Sequence, residues 1–112
     1  MERKYYKAIN FDLDTNGLKQ YYPRYQQAYY DLKNFFKSKG FSHRQGSGYV
    51  SDTKLSTADI VDIIDEMRKH FEWASTCVKK IDVTNIGIQY DLTGLLIFDE
   101  SQNYSIKNIF DN

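Results

Sequence analysis

The chain has 112 residues, 41% apolar and 16% aromatic, which suits one globular domain with an ordinary hydrophobic core. Fifteen basic and fifteen acidic residues give a formal net charge of zero, which excludes a strong overall basic field, so a nucleic-acid partner would need a local patch. The lone cysteine, Cys77, excludes an intrachain disulfide, and no apolar run approaches the roughly 20 residues of a spanning helix, so we expect a cytoplasmic protein with no membrane partner.

The first predicted element is a strand over residues 5–13 that has two unlike faces. The apolar face carries Ile9, Phe11 and Leu13. The other face carries Ala8, Asn10 and Asp12. The first face suits a core, and the second ends in a carboxylate, so we take Asp12 as the candidate functional centre. Residues 14–17 have turn chemistry.

A helix is predicted next, with Pro23 at its first position, Lys37 and Lys39 in its last turn, and Gly40 as its stop. Its apolar stripe has the helical period. The stripe consists of Tyr25, Ala28, Tyr29, Leu32, Phe35 and Phe36. We expect its tyrosines to belong to the core.

Residues 41–50 predict two short strands around Gly46-Ser47-Gly48, and a second helix begins at Ser56, where Asp59 completes a capping box. Its stripe contains Ile60, Ile63, Ile64, Met67, Phe71 and Ala74. We expect Trp73 to close the core behind this helix.

A long strand over residues 78–88, a turn at 91–94, an extra edge strand at 95–98 and a polar tail at 99–112 complete the chain. The order predicts an α+β, ferredoxin-like βαββαβ domain over residues 1–98, with an additional C-terminal strand and both helices on one sheet face. The other sheet face would stay uncovered and would carry Tyr6, Ala8, Asn10 and Asp12. Because an uncovered face with aromatic content commonly packs against a second copy, we expect a two-fold homodimer, with the 95–98 strand reaching the partner.

Several segments carry a family resemblance when taken in order. They are Ala8-Ile9-Asn10-Phe11-Asp12-Leu13, Ala28-Tyr29-Tyr30-Asp31-Leu32, Gly40-Phe41, Gln45-Gly46-Ser47-Gly48-Tyr49-Val50, Glu72-Trp73 and Asp91-Leu92-Thr93. Over residues 5–94 the chain resembles the virulence-associated protein D (VapD) family of small bacterial proteins. That family is similar to the CRISPR-associated Cas2 proteins, which share the Phe-Asp-Leu strand end and the Ser-x-Tyr-Val strand.

The resemblance implies a ferredoxin-like homodimer that acts as an endoribonuclease and as the toxin of a toxin–antitoxin pair. Family residues associated with cleavage match Asp12, Ser47 and Leu18. An acidic residue that the family can carry in the last strand has no clean match, because Lys80 occupies its position and Asp82 stands two residues later.

RNA cleavage needs a base or a metal to activate an oxygen. A dimer related through the first strand would bring two copies of Asp12 together, where they could share a proton or bind Mg²⁺. The competing interpretation is that Asp12 only ends its strand and caps the turn.

Other residues are candidates for holding the substrate. Ser47 could donate to a phosphate, or it could simply belong to a hairpin turn. Lys7, His43 and Arg44 could flank the site, with Arg44 the best phosphate clamp by geometry, although solvated charge is the alternative. Tyr49, like Tyr5 and Tyr6, could stack on an unpaired base or pack in the core.

Three functional hypotheses follow. The leading one is an endoribonuclease that cuts single-stranded RNA, with Asp12 activating water directly or through Mg²⁺. The zero net charge and the displaced acidic residue instead favour a Cas2-like dimer that binds nucleic acid or a protein without cutting. The third is a regulatory domain that binds a small ligand between subunits.

Overall fold

Strand β1 (Tyr6–Leu13) lies inside a four-stranded antiparallel sheet of order β2-β3-β1-β4. The structure, a computed structural model, describes residues 3–87 and 92–96. Its elements in chain order are β1, α1 (Thr15–Leu18), α2 (Gln26–Ser38), β2 (Phe41–His43), β3 (Gly48–Ser51), α3 (Thr57–His70), α4 (Ala74–Cys77), β4 (Val78–Ile86) and a 3₁₀ turn (Thr93–Leu96). This connectivity and strand order confirm the predicted ferredoxin-like α+β fold.

The two faces of β1 differ in burial as the alternation predicts. Ile9, Phe11 and Leu13 are buried against α2 and α3 in one core. The helices contribute Ala28, Leu32, Phe36, Ile60 and Met67 to that core. On the other face Asn10 and Asp12 are exposed. Both long helices therefore cover the same side of the sheet, and we call the uncovered side the open face.

Helix α2 ends as its sequence predicts but begins later. Gly40 takes φ 84°, a left-handed conformation that favours glycine just past a helix end. Pro23 lies before the helix, which starts at Gln26 after Tyr25, and no side chain caps that end. Tyr25 and Tyr29 are only half-buried, so these tyrosines pack at the margin of the core rather than inside it.

The beginning of α3 confirms the predicted capping box. The Asp59 backbone N–H donates to the Ser56 hydroxyl (3.1 Å), and the Ser56 backbone N–H donates to the Asp59 carboxylate (2.9 Å). These bonds hold the pKa of Asp59 below its usual value. Trp73 is buried behind the helix and its indole N–H donates to the Tyr22 hydroxyl, as expected of a residue that closes the core.

Two local predictions differ from the structure. The extra strand at 95–98 is wrong in its described part, because residues 93–96 form a 3₁₀ turn; a run of four apolar residues does not distinguish the two. Residues 97–98, the 99–112 tail and Ile88 lie outside the described residues. The segment predicted as a turn at 14–17 instead begins the short helix α1, which Asp14 caps by accepting from the Gly17 N–H.

No helix among the described residues has both the length and the apolar character needed to cross a bilayer.

Candidate active site

Chain direction gathers several elements at one end of the sheet, which we call the Asp12 end. Strand β1 runs toward this end, α2 starts there, the β2–β3 hairpin turns there, and β4 begins there because its Val78 pairs with Leu13. Residues distant in sequence therefore meet beside the last residues of β1.

Asp12 occupies the open face as the sequence predicts. Its side chain is exposed, and its Cα partner across β4 is Lys80. The register of the ladder shifts between Asp12 and Leu13, so the strand changes course directly after the carboxylate. An exposed acid with a lysine directly opposite can accept a proton while that cation stabilises nearby negative charge.

Ser47 lies beside β1 but does not have its hydroxyl free for a phosphate. The hydroxyl donates to the carbonyl oxygen of Phe11, and the Phe11 N–H donates to the carbonyl oxygen of Ser47 (3.1 Å). A serine hydroxyl has one proton to donate, so in this arrangement it cannot also donate to substrate. Ser47 fixes the backbone next to Asp12, which makes it a positioning residue.

The open-face row adjoining Asp12 includes a second acid. Asn10 pairs with Asp82 across β4 and with Gly48 across β3, so Asp82 shares the face of Asp12. The Asp82 carboxylate lies 3.7 Å from the Lys80 ammonium. The sequence could have predicted that Asp82 shares this face with Lys80, because residues two apart on a strand lie on the same side of the sheet.

Gly48 makes room for this row. A Cβ at position 48 would lie 2.9 Å from the Asn10 side-chain oxygen and 3.2 Å from the carbonyl oxygen of Gln45. Glycine thus allows the hairpin backbone to lie close to the Asn10 amide.

Three residues that the sequence predicted to contact the substrate are buried instead. Lys7, Leu18 and Tyr49 are each at most 2% exposed. Lys7 lies on the same face of β1 as Ile9, the face that the helices cover, and its ammonium hydrogen-bonds to Asn85. None of the three side chains is accessible to RNA in this chain.

The buried positions have structural roles. Leu18 belongs to the core, and the Lys7 backbone N–H donates to the Ser51 hydroxyl (2.8 Å). Tyr49 stacks on Phe36 with ring centroids 4.8 Å apart. Within the described residues the Tyr49 hydroxyl has no hydrogen-bond partner, and burial raises its pKa to about 12.

The basic hairpin residues divide between two surfaces. Arg44 lines a pocket of about 220 Å³ on the open face, with Tyr6, Val50 and Ile86 among the other lining residues. His43 packs on Tyr49 and its Nε2 hydrogen-bonds to the Gly46 carbonyl oxygen. Arg44 thus lies along the open face, and His43 belongs to the helix side.

The described residues of one chain do not form a magnesium site by themselves. Across residues 3–87 and 92–96 no group of three or more His, Cys, Asp or Glu side chains could hold a metal ion. Mg²⁺ prefers several oxygen ligands in near-octahedral geometry. Asp12 would need ligands beyond those that its own described chain provides.

Comparison with known proteins agrees with the resemblance seen in the sequence. No family model matches the chain. It is 33% identical over 87 residues to a protein named Endoribonuclease VapD 2 from Riemerella anatipestifer, a match that covers 76% of this chain and 93% of that protein. It is 31% identical over 85 residues to a protein named Endoribonuclease VapD homolog from Helicobacter pylori, covering 76% of this chain and 90% of that one. The resemblance to VapD is confirmed, and the chain belongs to the VapD family.

Proposed function

We propose that this protein is an endoribonuclease that cleaves single-stranded RNA, with Asp12 as its general base. The observation that carries the proposal is an exposed carboxylate at the end of a central strand, with a lysine opposite it and its backbone tied to a hairpin by Ser47. The names of two relatives, both endoribonucleases, support the reaction class.

The chemistry needs few groups. Asp12 accepts a proton from the attacking water while the oxygen of that water forms a bond to phosphorus. The bond from phosphorus to the leaving ribose oxygen breaks, and that oxygen takes up a proton from solvent. Lys80 stabilises the negative charge that develops on the phosphoryl oxygens.

Single-stranded RNA fits this surface better than a duplex does. With a net charge of zero, the chain has no strong overall basic field to hold the two phosphate backbones of a duplex. A flexible strand can instead bring one phosphate to the Asp12 end while its unpaired bases contact aromatic side chains.

A two-fold homodimer formed through the open face is part of the proposal. Half-buried Tyr6, Ala8, Val50 and Ile86 give this face apolar area that a second copy could cover. Such pairing would bring two Asp12 carboxylates toward one axis, where they could share a proton or hold Mg²⁺ together.

We further propose that the protein is the toxin of a toxin–antitoxin pair, with an antitoxin protein as its partner. The support for this role is the family resemblance, not a feature of the fold. Expression of the protein should inhibit growth, and co-expression of a neighbouring gene that encodes the antitoxin should restore it.

The experiment for the activity uses purified full-length protein and end-labelled RNA. We expect cleavage products from a single-stranded oligonucleotide and few from the same sequence annealed to its complement. Parallel reactions with EDTA and with added Mg²⁺ determine the metal requirement. Intact single-stranded RNA under all conditions would refute the proposal.

A second candidate is a dimer that binds nucleic acid without cutting it. Lys80, in the place of a family acidic residue, favours this candidate because it leaves Asp12 without a carboxylate directly opposite. Retention of RNA that weakens steeply with salt, with no products on the gel, would support it.

A further inference from the structure

Two tyrosines at the start of α2 form a ring pair at the Asp12 end. The rings of Tyr25 and Tyr29 meet edge to face with centroids 6.3 Å apart. The Lys19 ammonium lies 5.8 Å from the centroid of the Tyr25 ring, on the side of α1. Both tyrosines are half-buried, so each ring is held by packing yet keeps part of its surface open.

The other tyrosines at this end are committed elsewhere. The Tyr22 hydroxyl donates to Asp31 and accepts from Trp73, and the Tyr21 hydroxyl pairs with Thr76. By contrast, the hydroxyls of Tyr25 and Tyr29 make no hydrogen bond within the part of the chain that the structure describes. Their placement therefore is not explained by an internal polar contact.

We propose that Tyr29, braced by Tyr25, stacks on an unpaired RNA base next to the phosphate that the Asp12-activated water attacks, with Lys19 contacting a neighbouring phosphate. This inference rests on the proposed function and specifies how that site holds its substrate. It requires an unstacked nucleotide beside the scissile bond, which a duplex does not offer.

One further observation and two general principles support this proposal. Burial, the neighbouring Tyr25 and the Asp12 charge, in that order, raise the pKa of Tyr29, so its hydroxyl stays protonated at neutral pH. A neutral hydroxyl can donate to a base or phosphate oxygen. Braced aromatic rings lose little freedom when a base stacks on them, so contact is gained at low entropic cost.

The test measures RNA binding by fluorescence anisotropy with full-length Asp12→Asn, so that the oligonucleotide stays intact. On this background we expect Tyr29→Leu to weaken binding about 5- to 160-fold, the range of one lost base–aromatic stack. Tyr29→Phe keeps the ring and should stay within about twofold if stacking dominates. Tyr30→Leu is the matched control, because Tyr30 is exposed on the same helix and has no ring contact in the described part.

An abasic scan of the oligonucleotide separates stacking from a structural effect. One abasic position should weaken binding to Asp12→Asn as much as Tyr29→Leu does, and the two changes together should cost no more than either alone. If the abasic substitution at that position weakened RNA binding equally in proteins with and without the Tyr29 ring, the inference would be overturned. Thermal melts followed by circular dichroism identify any variant that has lost its fold.

Cleavage by the wild type distinguishes the two levels of the proposal. If the wild type cuts RNA and Tyr29→Leu cuts and binds equally well, the stacking inference fails and the endoribonuclease proposal stands. If the wild type neither binds nor cuts RNA, the proposed function fails and the inference fails with it.

Discussion

The hydroxyl of Ser47 donates a hydrogen bond to the carbonyl oxygen of Phe11, the residue that precedes Asp12. Together with the bond from the Phe11 N–H to the Ser47 carbonyl oxygen, it ties the tip of the β2–β3 hairpin to the end of β1. The hairpin therefore controls the position of the Asp12 backbone, although Ser47 itself has no proton left for substrate in this arrangement.

Ser47→Ala should therefore lower kcat more than it raises KM. The Phe11 carbonyl oxygen loses a partner, which should reduce the free energy of unfolding by about 1 kcal/mol. Single-turnover cleavage and urea denaturation measure the two effects. Ser38→Ala is the control, because it removes an exposed hydroxyl that donates to the Phe35 carbonyl oxygen. A reduced affinity with unchanged kcat would instead indicate direct contact between Ser47 and the RNA.

Charge reversal at Lys80 tests the cation opposite Asp12. Lys80→Glu should slow cleavage about 10-fold or more, because a negative charge would oppose the charge that develops at phosphorus. Lys79→Glu changes the net charge equally, and Lys79 has no Cα partner on β1. Equal rates for the two variants would show that only overall charge matters, and salt titration of both gives a second comparison.

Tyr49 should control stability at alkaline pH. Its pKa is about 12 in the folded chain, against about 10 when unfolded. Below pH 10 both states keep the proton; between pH 10 and 12 only the unfolded chain releases it, so stability falls as pH rises. This contribution reaches about 2–3 kcal/mol near pH 12.

Tyr49→Phe should lessen that alkaline loss and raise the free energy of unfolding at pH 7 by about 1 kcal/mol, since it removes a buried hydroxyl that has no partner within the described residues. Denaturant melts at several pH values provide the measurement, with Tyr30→Phe as the exposed control. Destabilisation by Tyr49→Phe at pH 7 would mean that the hydroxyl has a partner.

The open face gives a prediction about assembly. Wild-type protein should have twice the 13.2 kDa mass of one chain, and Val50→Lys, at the centre of the open face, should shift it to the monomer and reduce cleavage. Val61→Lys places the same charge on an exposed position of α3 and should leave the dimer intact. Light scattering after size exclusion decides the matter; a monomeric wild type would contradict the dimer.

The sequence predicted the sheet and its faces well because the alternation in β1 is strict. The same alternation places Lys7 on the face of Ile9, so the sequence alone could have excluded Lys7 from the candidate site on the opposite face. Burial of Tyr49 was harder to predict, because tyrosine suits a surface stack as well as a core stack.

Other features depend on three-dimensional placement. Helical spacing put Tyr25 and Tyr29 in the apolar stripe of α2, but it could not show that the first turn of the helix lies at the margin of the core. The Ser47–Phe11 bond spans 36 positions of the chain and follows from the pairing of β1 with the hairpin, which has no local signature.

The most direct test of the central claim compares single-turnover cleavage by Asp12→Asn and Asp62→Asn. Both side chains are exposed, so both variants should fold with nearly wild-type stability. The amide cannot accept the proton of the attacking water, so Asp12→Asn should lose at least about 100-fold in rate, within the range of general base catalysis. Asp62→Asn should cleave like the wild type. Equal rates for wild type and Asp12→Asn would contradict the assignment of Asp12 as the base.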